Sequence, residues 1–159
     1  MIKLACNSLI ALEGGSGRCM DAEEFVELAY ELRLDAVDFQ LDRGLRSRDR
    51  EYLRGLKLAC LKRGMPIGFL GIGGGFIGST TLPGVGAVGV ALPADELGRR
   101  IDEAKAAVDD AAFMGAPLVR IFGGSIPEAT EERDGLWSEM IASYQEVADH
   151  AAGLGVFIG

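Results

Sequence analysis

The sequence predicts an α/β protein, a parallel (β/α) barrel truncated to about four strand–helix units plus the start of a fifth strand. Short apolar runs alternate with longer stretches in which apolar residues recur every three or four positions. The strand segments are apolar along their length, the composition of strands covered on both faces in a parallel sheet with right-handed crossovers. Arg63-Gly64-Met65-Pro66, Met114-Gly115-Ala116-Pro117 and Leu154-Gly155-Val156 each place a glycine between a helix and the next strand. Such repeated punctuation is that of a barrel built from equal units.

Ile2–Cys6 is the first apolar run, and Asp21 with Glu24 has the spacing of a capping box that opens a helix marked by Phe25, Leu28, Ala29 and Leu32. Ala36–Leu41 is the second strand. Ser47–Arg63 places Leu53, Leu56, Cys60 and Leu61 on one helical face, and Pro66–Ile72 is the third strand. Gly71–Pro93 is rich in glycine and is expected to be a long mobile loop over the barrel mouth. Leu97, Ile101, Ala104, Val108 and Ala111 then step as a helix that ends at Gly115, before the strand Leu118–Phe122. Trp137, Met140, Ile141, Tyr144, Val147 and Ala151 mark the core face of a fourth helix, and Val156-Phe157-Ile158 starts a fifth strand.

Five parallel strands also describe a doubly wound, flavodoxin-like nucleotide-binding domain, which places strand one between two and three, whereas a barrel keeps the order 1-2-3-4-5. The doubly wound fold needs a helix after its fifth strand, and none follows Phe157-Ile158-Gly159. The end of the chain is therefore expected to be a truncation, and an open half-barrel with unpaired edge strands is expected to associate with itself.

The totals narrow the partners. With 48% hydrophobic and 25% charged residues the 159-residue chain is an ordinary globular domain. Its net charge of −8 repels phosphate backbones, so no nucleic-acid partner is expected. Cys6, Cys19 and Cys60 form no C-x-x-C pair, which suits idle thiols in a cytoplasmic protein. No charged residue occurs from Gly64 to Ala94, yet Pro66, Pro83, Pro93 and the many glycines argue against a membrane helix.

Gly115–Gly124, GAPLVRIFGG, resembles the fourth strand of the xylose isomerase-like barrel superfamily. Leu34–Leu41 (LDAVDFQL) is similar to its second strand, Leu136–Gly155 to its fourth helix, and Gly155–Gly159 (GVFIG) to the opening of its fifth strand. The resemblance implies that residues 1–159 are the N-terminal half of a (β/α)8 barrel. Members of that superfamily are mostly sugar or sugar-phosphate isomerases and epimerases, with inosose dehydratases and an apurinic endonuclease branch. They hold a divalent metal on residues of the later strands, so the resemblance implies a metal-dependent parent with a carbohydrate substrate. The first ligand would follow the GVFIG motif beyond Gly159, and no metal ligand, cofactor or catalytic residue is carried over onto this fragment, which is expected to be inactive alone. Gly71–Pro93 departs from the polar segment usual at that place in the family.

Within that frame four residues are candidates for substrate binding. Asp38 and Gln40 share one face of the second strand and could hydrogen-bond sugar hydroxyls, or Asp38 could pair with Arg120. Arg120 lies in an apolar strand and must meet a carboxylate, a phosphate or rim water. Asn7, followed by Ser8, ends the first strand, where such residues serve either a ligand or a turn. His150 sits late on a helix and Trp137 on its expected core face, which suits structural roles. Gly73–Gly78 matches G-x-G-x-x-G, but no helix is predicted to open behind it, as a nucleotide loop would need.

Overall fold

The computed structural model describes residues 3–8, 20–43, 45–83, 86–124 and 133–159. Ile2, Glu13, Cys19 and Gly84 lie outside them. The elements are β1 (Ala5–Asn7), α1 (Ala22–Glu31), β2 (Ala36–Gln40), α2 (Arg50–Lys62), β3 (Ile67–Ile72), β4 (Gly78–Leu82), β5 (Gly86–Val90), α3 (Ala94–Met114), β6 (Leu118–Ile121), α4 (Arg133–Ala152) and β7 (Phe157–Ile158). Five strands form one sheet in the order β1-β2-β3-β6-β7, and every pairing in it is parallel. The sequential order is that of a barrel. A doubly wound sheet would have put β1 between β2 and β3, so the flavodoxin-like alternative is excluded.

Local chemistry fixes the helix ends. The Asp21 side chain accepts from the Glu24 N–H at 3.0 Å while Glu24 reaches back to the Asp21 N–H, the reciprocal capping box that the spacing predicts. Asp49 caps α2 by accepting from the Tyr52 N–H at 2.8 Å. At the helix-to-strand joints, Gly64, Gly115 and Gly155 all have left-handed backbones, and Arg33 occupies the same place after α1 with φ 57°. The repeated joint is therefore a conformational device, one left-handed residue that turns the chain back into the sheet.

The helices cover one face of the sheet. Val37 and Phe39 of β2, Leu70 of β3 and Val119 of β6 point into them and are fully buried, with Phe39 edge-on to Phe25 of α1 at 6.2 Å between ring centroids. Each such side chain contributes about 1.5–3 kcal/mol of transfer free energy. Asp110, buried on α3, holds α2 and its approach in place by accepting from Arg48 at 2.8 Å and pairing with Arg50 at 3.3 Å.

Three expectations are corrected. The segment after β3 is not a loop throughout, because β4 and β5 pair as an antiparallel hairpin from Gly78↔Val90 to Leu82↔Gly86. The β-branched Thr80, Thr81, Val88 and Val90 favour strand, and Pro83 follows the last residue of β4. Trp137 and Ile141 are 49% and 40% exposed, and the buried face of α4 is Leu136, Met140, Ser143, Val147 and Ala151. The face is rotated by about one residue, with Leu136 and Met140 packed on Ile77 and Ser143 on the core side donating its hydroxyl to the Glu139 carbonyl at 2.8 Å. Leu61 and Leu32 likewise stand in solvent at the ends of their helices, whereas Leu53, Leu56 and Cys60 are buried as expected.

Candidate functional site

Side chains alternate along a strand, so the residues between the helix-facing ones look out of the opposite, concave face of the sheet. The register pairs Asn7 with Asp38, then Gln40 with Gly71 and Gly71 with Arg120. Asn7, Asp38, Gln40 and Arg120 therefore share the inner face, at or next to the C-terminal ends of β1, β2 and β6. In a parallel barrel that end of the inner face is where the βα loops assemble a site.

The floor of this face is built by the glycines of β3. Asp38 lies where a Cβ on Gly68 would stand, Gln40 where one on Gly71 would stand, and Asp42 over Gly73. Glycine at these positions lets three polar side chains of the β2 segment lie flat across the neighbouring strand. The Phe69 N–H donates to Asp38 Oδ1 at 3.0 Å. Burial raises the Asp38 pKa above the ordinary carboxylate value, and the N–H groups of Phe69 and Gly68 oppose that rise. Gln40 Nε2 donates to Asp42 Oδ1 at 2.6 Å, while Gln40 Oε1 is buried without a hydrogen-bond partner. An unpaired buried carbonyl costs on the order of 1–3 kcal/mol, so the face carries an unused acceptor.

Arg120 forms no ion pair with Asp38. Its guanidinium stacks on Phe122, 4.3 Å from the ring centroid, with Phe69 at 5.8 Å. The two aromatic faces stabilise the cation without a carboxylate, and Asp38 is occupied by backbone N–H groups. Ser8 resolves to a structural role, since its hydroxyl accepts from the Gln40 N–H at 3.1 Å and continues the β1–β2 pairing past Asn7. His150 pairs with Asp109 at 2.9 Å between α4 and α3, away from the inner face. Gly73–Gly78 leads into β4 and not into a helix, so it forms no phosphate-binding turn.

Asp42, Phe69 and Phe122 were not singled out from the sequence. The signal for Asp42 was its place two residues past Gln40, continuing the Asp38–Gln40 alternation into the turn. Phe122 follows Arg120 by the same step of two, on the same face.

Among the described residues no group of three or more His, Cys, Asp or Glu side chains is placed to hold a metal ion. Asp38 and Asp42 are engaged by internal donors, and among the described residues no third carboxylate or imidazole joins them. This donor set does not fit a divalent cation, which takes several oxygen or nitrogen ligands from one centre. No described helix is long and apolar enough to cross a membrane.

No family model matches the sequence, and no curated protein matches it. Solved structures do match. A xylose isomerase domain protein from Planctomyces limnophilus is 22% identical, with 84% of this chain and 46% of that chain covered and a TM-score of 0.63. A putative xylose isomerase from Rhodospirillum rubrum is 20% identical over 98% of this chain and 52% of that chain, with a TM-score of 0.68. D-psicose 3-epimerase from Clostridium cellulolyticum, solved with D-tagatose, is 16% identical over 98% and 51%, also at 0.68. The chain spans about half the length of these structures. Sheet order and these likenesses together give it the fold of about half of a parallel α/β barrel, similar to that of these structures.

Proposed function

We propose that residues 1–159 are the N-terminal half of a (β/α)8 barrel whose whole form isomerises or epimerises a sugar or sugar phosphate by moving a proton next to a carbonyl. The observation that carries this reading is the convergence of Asn7, Asp38, Gln40 and Arg120 on one inner face at the C-terminal strand ends. Support also comes from the names of the structural neighbours, which include sugar isomerases and epimerases.

In this reading Asn7, Asp38 and Gln40 take sugar hydroxyls, and Arg120 takes an oxygen or anionic group of the substrate. The divalent metal implied by the resemblance would be held by residues beyond Gly159. This half alone is inactive on the same reading, and the free thiols of Cys6 and Cys60 suit a cytoplasmic setting. The test is proton exchange in the longer protein. Incubated with a ketose in deuterium oxide, it is expected to introduce deuterium at the carbon beside the carbonyl, and Arg120→Gln is expected to slow this at least tenfold. Failure to exchange that position with any ketose or ketose phosphate would reject the reading.

The exposed β7 edge favours a second reading, a non-catalytic half-barrel that associates with itself. Phe157 is 73% exposed, and by its register with Leu118 it stands on the inner face at the β7 edge, where unpaired strand groups sit beside apolar side chains. Covering that face would bury both at once.

A further inference from the structure

The β4–β5 hairpin is unused by the carbohydrate reading. Its root is rigid. Gly75 packs so closely on the segment after β6 that a Cβ there would collide with the Phe122 carbonyl, and Arg100 Nη1 donates to the Gly75 carbonyl at 2.7 Å. Phe76 is buried edge-on against Tyr144, with 5.0 Å between ring centroids, and the Tyr144 hydroxyl donates to the Ile121 carbonyl at 3.1 Å.

Past that root the two strands differ. β5 is turned toward the body of the protein, with Gly89 buried and Val88 and Val90 half-buried. In β4, Ser79, Thr80 and Thr81 are exposed in succession. Because consecutive side chains point to opposite faces, both faces of β4 meet solvent. Among the described residues, the backbone of β4 pairs with β5 alone.

Edge strands are ordinarily blunted by charge, proline or a bulge. This one has none of these: no charged residue occurs from Gly64 to Ala94, and the ladder from Gly78 to Leu82 is unbroken. The chain as a whole carries a net charge of −8, so two copies repel over most of their surfaces and approach at least cost along an uncharged edge. The strand is also self-complementary under a two-fold axis. Antiparallel pairing centred on Thr80 sets Thr80 opposite itself and Ser79 opposite Thr81, cross-strand pairs of the hydrogen-bonding, β-branched kind that stabilise sheets. A lone two-stranded ribbon is marginal in water, whereas four strands are not.

We infer that β4 is a self-recognition edge, through which two copies of this chain pair antiparallel to form a four-stranded sheet across a two-fold axis. The contact is separate from the open inner face, and the experiment keeps them apart. Phe157→Lys places a charge on the inner face, so that association remaining in this variant belongs to the hairpin. Sedimentation equilibrium over the micromolar range is expected to find dimers for the parent chain and for F157K. The double variant F157K/T80K, with two ammonium groups opposed across the axis, is expected to dissociate at least tenfold more readily, while F157K/T80V stays dimeric. Slowed amide exchange at alternate residues of β4 should accompany the dimer. A monomeric F157K, or an F157K/T80K as dimeric as F157K, overturns the inference. Neither result touches the carbohydrate reading, which concerns the inner sheet face.

Discussion

Asp38 sits between two demands, burial that disfavours its charge and the Phe69 and Gly68 N–H groups that favour it, and burial wins. Its folded pKa is raised, so on acidification the folded state takes up a proton before the unfolded chain does. Below the unfolded carboxyl value both states are protonated and Asp38 costs nothing. As pH rises through that value and on to the folded pKa, stability is lost, and it stays lost at neutral pH. Asp38→Asn keeps an acceptor for the Phe69 N–H and removes the charge. It is expected to raise the urea midpoint at pH 7 and to lose that advantage at pH 3; an unchanged or lowered midpoint at pH 7 would show that Asp38 is not held at a cost. Arg33 is a second strained position, the one joint where a side chain occupies the left-handed region. Arg33→Gly should stabilise by about 0.5–1 kcal/mol, the left-handed penalty less the added freedom of glycine in the unfolded chain. Denaturant unfolding reads this directly, and a destabilised R33G would contradict it.

At the scale of elements, helix α4 shows how far a sequence pattern reaches. Trp137 and Ile141 belong to an apolar stripe as good as the one that is buried, and the sequence does not say which stripe the sheet takes. Packing decides it: Leu136 and Met140 meet Ile77 at the hairpin root, a contact that exists only once the segment after β3 has folded. Met140→Ala is therefore expected to cost about 2–4 kcal/mol and Trp137→Ser less than about 1, read as shifts in the thermal midpoint. The reverse ranking would mean that the helix is rotated. The hairpin was illegible for a related reason. Its glycines and prolines read as punctuation, and only the Ser-Thr-Thr run and the alternating valines carried a strand signal. Where one residue type has one dominant use, as in the Asp21–Glu24 box or Gly115 after α3, the sequence was sufficient.

For the whole molecule, the order of five parallel strands separates the barrel from the doubly wound alternative, and it was legible because strand and helix alternate along the chain with a glycine at three of the four helix-to-strand joints. The inner face was legible in part. Asn7, Asp38, Gln40 and Arg120 stood out as polar residues near the ends of apolar strands, but their relation depends on register, and register depends on the irregularity between Val37 and Phe39 against β3. Only with that shift does Gly71 fall between Gln40 and Arg120, leaving the backbone floor on which Gln40 lies. The central claim is that these residues form one carbohydrate-facing surface. Saturation-transfer NMR on the 159-residue chain, with a ketohexose and a ketose phosphate as probes, addresses it most directly. The account predicts transfer to the sugar protons at millimolar concentration, reduced several-fold in Arg120→Gln and in Asp38→Asn; no transfer, or transfer indifferent to both substitutions, would contradict it.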